Sequence, residues 1–281
     1  MSKAAERVHV SQPALSRQIR LLEEEIGSRL FDRIKQRIHL TDTGKFFLLK
    51  AQQLLCDAEM ALQQTQEQFV GAKRTLRLGF LSPFLDDLIA PVVREFQQRH
   101  ARSKVSLFDL SPRAQLDRLR LRELDLGILA NIDDEDKKYF DVRTLSRHKF
   151  IAVIPADHRL ANRKALKLGD LKSESWISLA NSYFPKRREF LIETCQKAGF
   201  NPSITAEMDS LPMMLAEIGT GGGVGLMPAH AAKLPHHGCV LIPISSPAIY
   251  SELFVILPKQ NSRSAEMETL IALIEERAEK I

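Results

Sequence analysis

The chain has 281 residues, of which 44% are hydrophobic and 27% charged, and its formal net charge is +5. This length allows two or three domains, and the composition excludes a disordered, collagen-like or disulfide-scaffold protein. The cysteines at 56, 195 and 239 are far apart and form no C-x-x-C pair, which favours a reducing compartment. The sequence has no signal-peptide core and no apolar run of membrane-spanning length, so we expect a cytoplasmic protein without a membrane partner.

Residues 2–33 carry the most informative pattern, which predicts two helices separated by a turn. Ser11 is a suitable N-cap, and Pro13 falls in the first turn of the second helix, where its missing N–H has no cost. Helical spacing predicts an apolar inner face, formed by Leu15, Ile19 and Leu22. The outer face would carry side chains suited to base edges and phosphates, namely Gln12, Ser16, Arg17 and Arg20. These features indicate a helix-turn-helix whose second helix enters a major groove.

Two short strands are predicted next, at 29–31 and 38–40, around a polar tip at 32–37. This wing would bring basic side chains to a minor groove or a phosphate, although a solvated turn is the alternative. Residues 1–40 hold eight Lys or Arg and five Asp or Glu, a surplus of three positive charges that suits contact with phosphates. The candidate contacts to double-stranded DNA are Ser11, Gln12, Pro13, Ser16, Arg17, Arg20, Arg33, Lys35 and Arg37.

The residues from Ala4 to Arg33 resemble the LysR-type transcriptional regulators. The family pattern of Ala-Ala, V-S-Q-P-A-L-S-R-Q-I, L-E-E-E-hydrophobic-Gly and L-F-x-R is nearly unbroken here. The family has one more helix before the Ala-Ala pair, and residue 1 falls where that helix should have ended. We therefore expect a partial winged domain that packs loosely and binds DNA weakly, with partly exposed side chains at Ala5, Val8, Leu15 and Ile19.

A long helix is predicted from Thr41 or Asp42, which offer N-caps, to about residue 70. Spacings of three and four alternate along its apolar seam, which comprises Leu48, Ala51, Leu55, Ala58, Leu62, Thr65 and Phe69. Packing of this seam on its own domain is the alternative to pairing with a second subunit. We expect pairing, and therefore a homodimer or homotetramer.

From residue 75 onward, strands and helices alternate. The βαβαβ order indicates a parallel, doubly wound sheet, with strands at 75–81, 104–110 and 125–129 and helices at 85–100 and 112–122. A second set begins near residue 156, with helices at 185–199 and 210–218, and Ser262 is expected to cap a last helix. The chain would cross between the two sets near 148–155 and 252–258, so that two lobes enclose a cleft.

The resemblance to LysR-type regulators continues through this region, at R-L-G-F, E-L-D-L-G-I and the stretches 153–161 and 218–228. It implies a periplasmic-binding-protein-like effector domain. The predicted fold is an α/β effector domain of two Rossmann-like lobes, preceded by a mainly α winged helix-turn-helix and a long linker helix. The predicted boundaries are 1–41 for the DNA-binding domain, 42–72 for the linker and 73–281 for the effector domain, with lobe 1 at 73–150 and 255–281 and lobe 2 at 151–254.

Ligands of open α/β sheets bind beyond the carboxyl ends of strands, against helix N-termini. Four such places predict a cleft for a small anion, with the candidate residues Ser82, Pro83, Ser111, Pro112, Asn181, Ser182, Asp209, Ser210 and Gly221. Plain helix capping is the alternative for each residue alone. A carboxylate effector is what the family resemblance implies, whereas Asp209 could instead bind a hydroxyl or an amine.

Catalytic and metal-binding motifs are lacking. The run Gly219–Gly223 does not complete G-x-G-x-x-G and precedes a strand, which excludes a nucleotide loop. There is no GxSxG, HExxH or CxxC, and the sequence 236–239 is expected to be a surface turn rather than a metal site. The basic run 186–188 is expected to be solvated. We therefore expect no enzyme activity, no cofactor and no metal.

These patterns predict a sequence-specific DNA-binding transcriptional regulator, controlled by a small-molecule effector that binds between the lobes. RNA polymerase is a further partner that this function would involve. The alternative is a small-molecule-binding module that has lost DNA binding through the missing first helix.

Overall fold

The structure is a computed structural model that describes residues 2–34, 37–69, 74–259 and 263–281. It divides into two compact units, residues 1–63 and 64–281, and the division falls within one long helix. The first unit is mainly helical and the second is mixed α/β.

The first unit contains two short helices, a hairpin and the start of the long helix. Its elements are α1 (Ser2–Arg7), α2 (Gln12–Ile26), β1 (Phe31–Ile34), β2 (Arg37–Leu40) and α3 (Asp42–Phe69). Ser11 caps α2 by accepting a hydrogen bond from the Ala14 N–H at 3.4 Å, and Gly27 ends it in the left-handed conformation at a φ of +74°. Thr41 caps α3 by accepting a hydrogen bond from the Gly44 N–H at 2.9 Å. The predicted helix-turn-helix and linker helix are confirmed. The two wing strands are present, but they lie at 31–34 and 37–40 rather than at 29–31 and 38–40, so most of the predicted polar tip belongs to the strands.

Packing in this unit is sparse, and α2 contains no fully buried residue among those described. The predicted partial exposure holds for Val8, which is 57% exposed, and for the half-buried Leu15 and Ile19. It is wrong for Ala5, which is only 3% exposed because its small side chain lies where the short α1 contacts α2.

Two close contacts join the hairpin to the flanking helices. Glu23 Oε1 accepts hydrogen bonds from the backbone N–H groups of Leu30 at 2.7 Å and Phe31 at 3.1 Å. On the other side, a Cβ at Gly44 would lie only 2.0 Å from the carbonyl oxygen of Leu30. Only glycine allows α3 to approach the hairpin so closely.

The second unit contains ten strands and six helices among its described residues. Its strands are β3 (Arg74–Phe80), β4 (Ser103–Asp109), β5 (Leu126–Ala130), β6 (Phe140–Pro155), β7 (Leu166–Lys167), β8 (Ser175–Leu179), β9 (Ser203–Met208), β10 (Gly225–Pro228), β11 (Cys239–Ser246) and β12 (Tyr250–Pro258). Its helices are α4 (Ala90–Arg99), α5 (Pro112–Arg120), α6 (Asp134–Lys137), α7 (Arg187–Lys197), α8 (Leu211–Gly219) and α9 (Ala265–Ala278). Short 3-10 turns occur at Ser82–Phe84, Leu168–Leu171 and Ala229–Lys233, and one π-helical turn at Leu85–Ile89.

The main sheet has the order β4-β3-β5-β12-β6-β11-β7, and β10 also pairs with β6. Strand β3 is parallel to both β4 and β5, so the predicted βαβαβ arrangement is confirmed. Strands β8 and β9 form a separate parallel pair, which a bridge between Trp176 and Val224 joins to the neighbourhood of β10.

Strand β6 runs through both lobes. Its first part, residues 140–149, pairs with β12, and its last part, residues 150–155, pairs with β10 and β11. We define lobe 1 by β3, β4, β5, β12 and the first part of β6, and lobe 2 by β7 to β11 and the rest of β6. The crossings therefore lie side by side, where the Phe150 N–H donates to the carbonyl of Ile249 at 2.9 Å.

Three helix starts differ from the predicted ones. The helix predicted at 85–100 opens with the π-helical turn, because Pro91 has no N–H for a regular helical bond. Helix α7 begins at Arg187, since Lys186 adopts a φ of +58°. Ser264, rather than Ser262, caps α9 by accepting a hydrogen bond from the Met267 N–H at 3.2 Å, and Ser262 lies outside the described residues.

Buried apolar side chains form two clusters in each lobe. In lobe 1 one cluster includes Phe96 of α4 and another includes Leu116 of α5. In lobe 2 one includes Trp176 and the other Met214 of α8. Because parallel strands end at the same edge of a sheet, the helices that follow them, α5, α7 and α8, begin where the two lobes face each other.

Candidate functional sites

The exposed face of α2 presents the predicted DNA contacts in the described part of the chain. Arg17 and Arg20 are exposed and have no ion-pair partner among the residues that the structure describes. Gln12 Nε2 donates to Ser16 Oγ at 3.4 Å, which places two polar side chains one helical turn apart. This surface can offer hydrogen-bond donors to base edges and positive charge to phosphates. Lys35 lies outside the described residues, as do the side chains of Arg33 and Arg37.

A cavity of about 240 Å³ lies between the two lobes of the second unit. Its wall is mostly apolar and is formed by Leu81, Pro83, Pro112, Ala130, Ile132, Leu179, Phe184, Pro185, Phe190, Leu211 and Pro228. The polar members of the wall are Asn131, Asp133, Lys186, Arg187, His230 and Ser251. An apolar cavity with a few convergent polar groups is the usual form of a small-molecule site.

Three helix N-termini meet at this cavity. The first residues of α5, α7 and α8 are Pro112, Arg187 and Leu211, and all three line the wall. A helix N-terminus carries a partial positive charge. The cavity is therefore suited to a negatively charged ligand.

Arg187 is the buried cation of the cavity wall, with 9% of its surface exposed. Its Nη2 donates to the carbonyl of Leu226 at 2.9 Å, and its guanidinium carbon lies 4.6 Å from the centroid of the Phe150 ring and 5.2 Å from that of Phe190. Burial lowers the pKa of Arg187 to about 10, so it remains charged at neutral pH. The expectation that the basic run 186–188 is solvated is thus wrong at its centre, because α7 turns this side chain inward.

Lys186 and Asp133 approach each other from opposite lobes, with 3.4 Å between Nζ and Oδ2. Asp133 also caps α6, and its pKa is lowered chiefly by the hydrogen bond from the Asp136 N–H and further by Lys186. Lys186 adopts a φ of +58° and Asn131 a φ of +55°. Left-handed conformations of this kind in non-glycine residues cluster at functional sites.

A second polar group lies at the side of the cavity where β6 and β12 cross between the lobes. The His230 ring stacks on Phe84 with 4.0 Å between centroids and meets His148 edge-on at 4.6 Å. Burial, and secondarily the nearby His148, lowers the pKa of His230 to about 3, so its imidazole is neutral at physiological pH. His230 Nδ1 and Ser251 Oγ are buried without hydrogen-bond partners among the described residues.

The structure brings only part of the predicted ligand set to the cavity, since Pro83 and Pro112 line the wall. Ser82 donates to Asp109 at 2.5 Å, and Asn181 donates to Glu189 at 2.8 Å. Ser111 and Ser210 act as N-caps of α5 and α8. The remaining predicted residues are exposed and outside this wall: Ser182, Asp209 and Gly221.

Two of the predicted residues line the cavity, whereas the sequence analysis did not predict its polar wall. Arg187, His230 and Ser251 follow no local motif, because each belongs to a different element and they meet only in the folded lobes. The one available signal for Arg187 was its position near the start of a predicted helix, where acidic residues are more usual than basic ones.

None of the described helices is both long enough and apolar enough to cross a membrane. The described His, Cys, Asp and Glu side chains form no group of three or more that could hold a metal ion.

Comparison with known families accounts for both units. The family described as "LysR substrate binding domain" matches residues 70–279, and "Bacterial regulatory helix-turn-helix protein, lysR family" matches residues 1–45. The chain belongs to the LysR family. This LysR-family protein is therefore a DNA-binding transcriptional regulator with an effector-binding domain, as predicted. Because the helix-turn-helix region matches its family, the alternative of a ligand-binding module without DNA binding is not favoured.

Individual relatives agree with this assignment. The Transcriptional dual regulator GltC of Bacillus subtilis (strain 168) is 30% identical over 269 residues, which cover 92% of this chain and 88% of GltC. The HTH-type transcriptional regulator AlsR of the same strain is 29% identical over 232 residues, covering 83% of this chain and 76% of AlsR. Relatives of this LysR-family protein are thus transcriptional regulators, a class that generally does not catalyse reactions.

Solved structures show the same fold. CbnR, a LysR family transcriptional regulator, matches with a TM-score of 0.70 at 19% identity, covering 99% of this chain and 93% of that chain. Full-length CbnR complexed with its target DNA matches with a TM-score of 0.69 at 20% identity, covering 98% and 93%. The effector binding domain of QuiR in complex with shikimate has a TM-score of 0.65 at 17% identity, covering 73% and 97%. These likenesses confirm the predicted fold class for this LysR-family protein.

Proposed function

We propose that a small organic acid, bound in the cavity between the lobes, controls the sequence-specific DNA binding of this regulator. The observation that carries the proposal is the convergence of three helix N-termini on one apolar cavity. Their partial positive charges favour a carboxylate. A ligand that contacts both lobes stabilises the closed arrangement, and it shifts the population of that state by its differential affinity.

For DNA binding, we assign four residues of α2 to base edges: Gln12, Pro13, Ser16 and Arg17. The phosphate contacts would come mostly from Arg20 and from the wing residues Arg33, Lys35 and Arg37. The exposure of Arg17 and Arg20 on α2 supports this arrangement. Bidentate contact of an arginine with guanine specifies sequence, whereas a phosphate contact adds affinity for any sequence.

We assign the exposed apolar seam of α3 to pairing with a second copy of the chain. Leu48, Leu55, Leu62 and Phe69 recur every seven residues and are between 43% and 76% exposed in the single chain. A seam with heptad spacing is stabilised by pairing with a second helix. A homodimer, or a tetramer built from two such dimers, would place two α2 helices on one DNA site. Contact with RNA polymerase stays a prediction.

The test is fluorescence anisotropy with DNA from the region upstream of the protein's own gene, at physiological salt with excess random competitor. We expect specific binding whose affinity changes when the matching acid is added. Arg17→Ala should reduce binding to the specific site while leaving binding to random DNA nearly unchanged. Arg20→Ala should weaken both and lower the slope of log affinity against log salt by about one.

Equal losses on specific and random DNA in both variants would contradict the division between base and phosphate contacts. Lys35→Ala in the wing should behave like Arg20→Ala. An affinity for specific DNA that no small acid changes would contradict control by an acidic effector.

A further inference from the structure

The titratable side chains that line the cavity leave one positive charge without a counter-ion among the described residues. Four described lining residues are titratable, namely Asp133, Lys186, Arg187 and His230. Asp133 and Lys186 offset each other as a pair, with 3.4 Å between charged atoms. His230 is neutral at physiological pH, because burial lowers its pKa to about 3. The charge that remains without a counter-ion is the single positive charge of Arg187.

The bonding of Arg187 leaves this charge uncompensated. A guanidinium has five N–H donors, and among the described residues it makes one hydrogen bond, from Nη2 to the carbonyl of Leu226. It has no carboxylate partner among those residues, although it is 91% buried and Phe150 and Phe190 flank it. A buried charge without a partner is costly, and an anion that reaches it forms strong, charge-assisted hydrogen bonds.

The apolar part of the wall indicates what the rest of the ligand should be. Apart from its six polar members, the wall is formed by leucine, isoleucine, alanine, proline and phenylalanine side chains. The volume of about 240 Å³ lies just below the range of drug-sized sites, so a ligand of about one ring suits it. Burial of that ring against apolar side chains would supply hydrophobic stabilisation.

We infer that the cavity is selective for acids with one negative charge and one apolar ring, and that Arg187 holds the carboxylate. This inference rests on the proposed function, since it names the class of acid that the same cavity takes. A second negative charge would find no second uncompensated cation in the described wall. An ammonium group would compete with Lys186 for Asp133, which already accepts a hydrogen bond from the Asp136 N–H at 2.8 Å.

The experiment is isothermal titration calorimetry of the full chain with four matched probes: phenylacetate, phenylacetamide, phenylglycine and phenylmalonate, each repeated with its cyclohexyl analogue. The probes share one ring and differ at the acid group or the carbon beside it. Phenylacetate is a monoacid and phenylacetamide is its neutral amide, whereas phenylglycine is a zwitterion and phenylmalonate is a diacid. We expect the monoacid to bind at least about tenfold more tightly than the other three, the factor that charge-assisted hydrogen bonds supply.

Arg187→Met tests the anchor, because methionine keeps an unbranched apolar stem between the two phenylalanine rings. We expect at least about a tenfold loss of monoacid affinity and little change for the amide. Arg188→Met is the matched control, since it removes the same charge from the next residue, which is exposed and paired with Glu207. It should bind the monoacid like the unaltered chain. Fluorescence of Trp176, the single tryptophan, reports whether lobe 2 of each variant is folded.

Three results would overturn the inference: equal binding of acid and amide, tighter binding of the zwitterion or the diacid, or binding of none of the probes. The comparison among probes uses the unaltered chain, so it decides the matter even if Arg187→Met does not fold. Failure of the proposed function has a different signature. A monoacid that requires Arg187 for binding but leaves DNA affinity unchanged would support the inference and contradict regulation by an acid.

Discussion

Arg277 of α9 donates a hydrogen bond from Nε to the backbone carbonyl of Asp87, at 2.9 Å. Pro91 lies four residues after Asp87 and cannot make the regular helical bond to that carbonyl. Arg277 therefore supplies a donor where the start of α4 lacks one, and it ties the last helix to the π-helical turn.

Replacement of Arg277 by methionine should lower the free energy of unfolding by about 1 kcal/mol, the net value of one hydrogen bond. Urea unfolding followed by circular dichroism would measure the change. Lys280→Met is the control, because Lys280 lies on the same helix and pairs only with the exposed Glu276 among the described residues. Equal free energies of unfolding in both variants would show that the hydrogen bond from Arg277 to the Asp87 carbonyl does not stabilise the fold.

Asp133→Asn should raise the affinity for a monoacid such as phenylacetate by up to about fivefold, the size of one partly exposed ion pair. The substitution frees the charge of Lys186 for the ligand, and asparagine remains a good N-cap for α6. Titration calorimetry would measure the affinity. Glu135→Gln, which removes an exposed carboxylate that lies outside the cavity wall and pairs with Lys138, should have no effect. Weaker binding by Asp133→Asn would mean that Asp133 contacts the ligand favourably.

Stability should fall in mildly acidic solution because of His230. Burial, and secondarily the nearby His148, lowers the pKa of His230 from 6.5 to about 3. Between these values the unfolded chain binds a proton that the folded chain does not. The stabilisation is therefore fully present above pH 6.5 and is lost as pH falls toward 3, by up to about 1.4 kcal/mol per pH unit.

Urea unfolding between pH 7.5 and 4.5, followed by the fluorescence of the buried Trp176, would measure this slope in lobe 2. His230→Phe keeps a ring that can stack on Phe84 and should flatten the slope, leaving the smaller contribution of His148, whose pKa is also lowered by burial. The exposed His237 provides the control, since His237→Gln should leave the slope unchanged. If stability falls as steeply with pH in His230→Phe as in the unaltered chain, His230 is not the source of the pH dependence.

Glu23→Ala should destabilise the first unit by about 1–2 kcal/mol, because it removes the acceptor for two backbone N–H groups at the start of the wing hairpin. Hydrogen exchange at the amides of Leu30 and Phe31 should become faster by about tenfold or more. The neighbouring Glu24 is exposed, so Glu24→Ala should exchange like the unaltered chain. Unchanged exchange in Glu23→Ala would exclude this role for the carboxylate.

Leu55→Glu should separate the proposed dimer, since it places a charge in the middle of the apolar seam of α3. Sedimentation velocity would detect the change as a shift toward the mass of one chain. Leu55→Met preserves an apolar side chain of similar volume and should remain paired. A dimer that survives Leu55→Glu would show that α3 does not hold the subunits together.

Much of the fold was predictable, because the signals that specify it are local. Helical and strand periodicity located the elements of both units, and capping residues such as Ser11, Ser111 and Ser210 marked the helix starts. The errors arose where a distant contact decides a local conformation. Ala5 is buried by its position where two helices meet, and α9 begins at Ala265 with Ser264, rather than the earlier serine, as its N-cap.

The sequence by itself determined the family, the helix-turn-helix and the two-lobed α/β order, since each depends on spacing within a few tens of residues. The tertiary structure decided which polar groups form the ligand cavity. Arg187, His230 and Ser251 come from separate elements and approach one another only when β6 and β12 cross between the lobes. Burial converts one arginine of a basic run into an uncompensated charge, and burial is a property of the packed lobes that no spacing of residues reports.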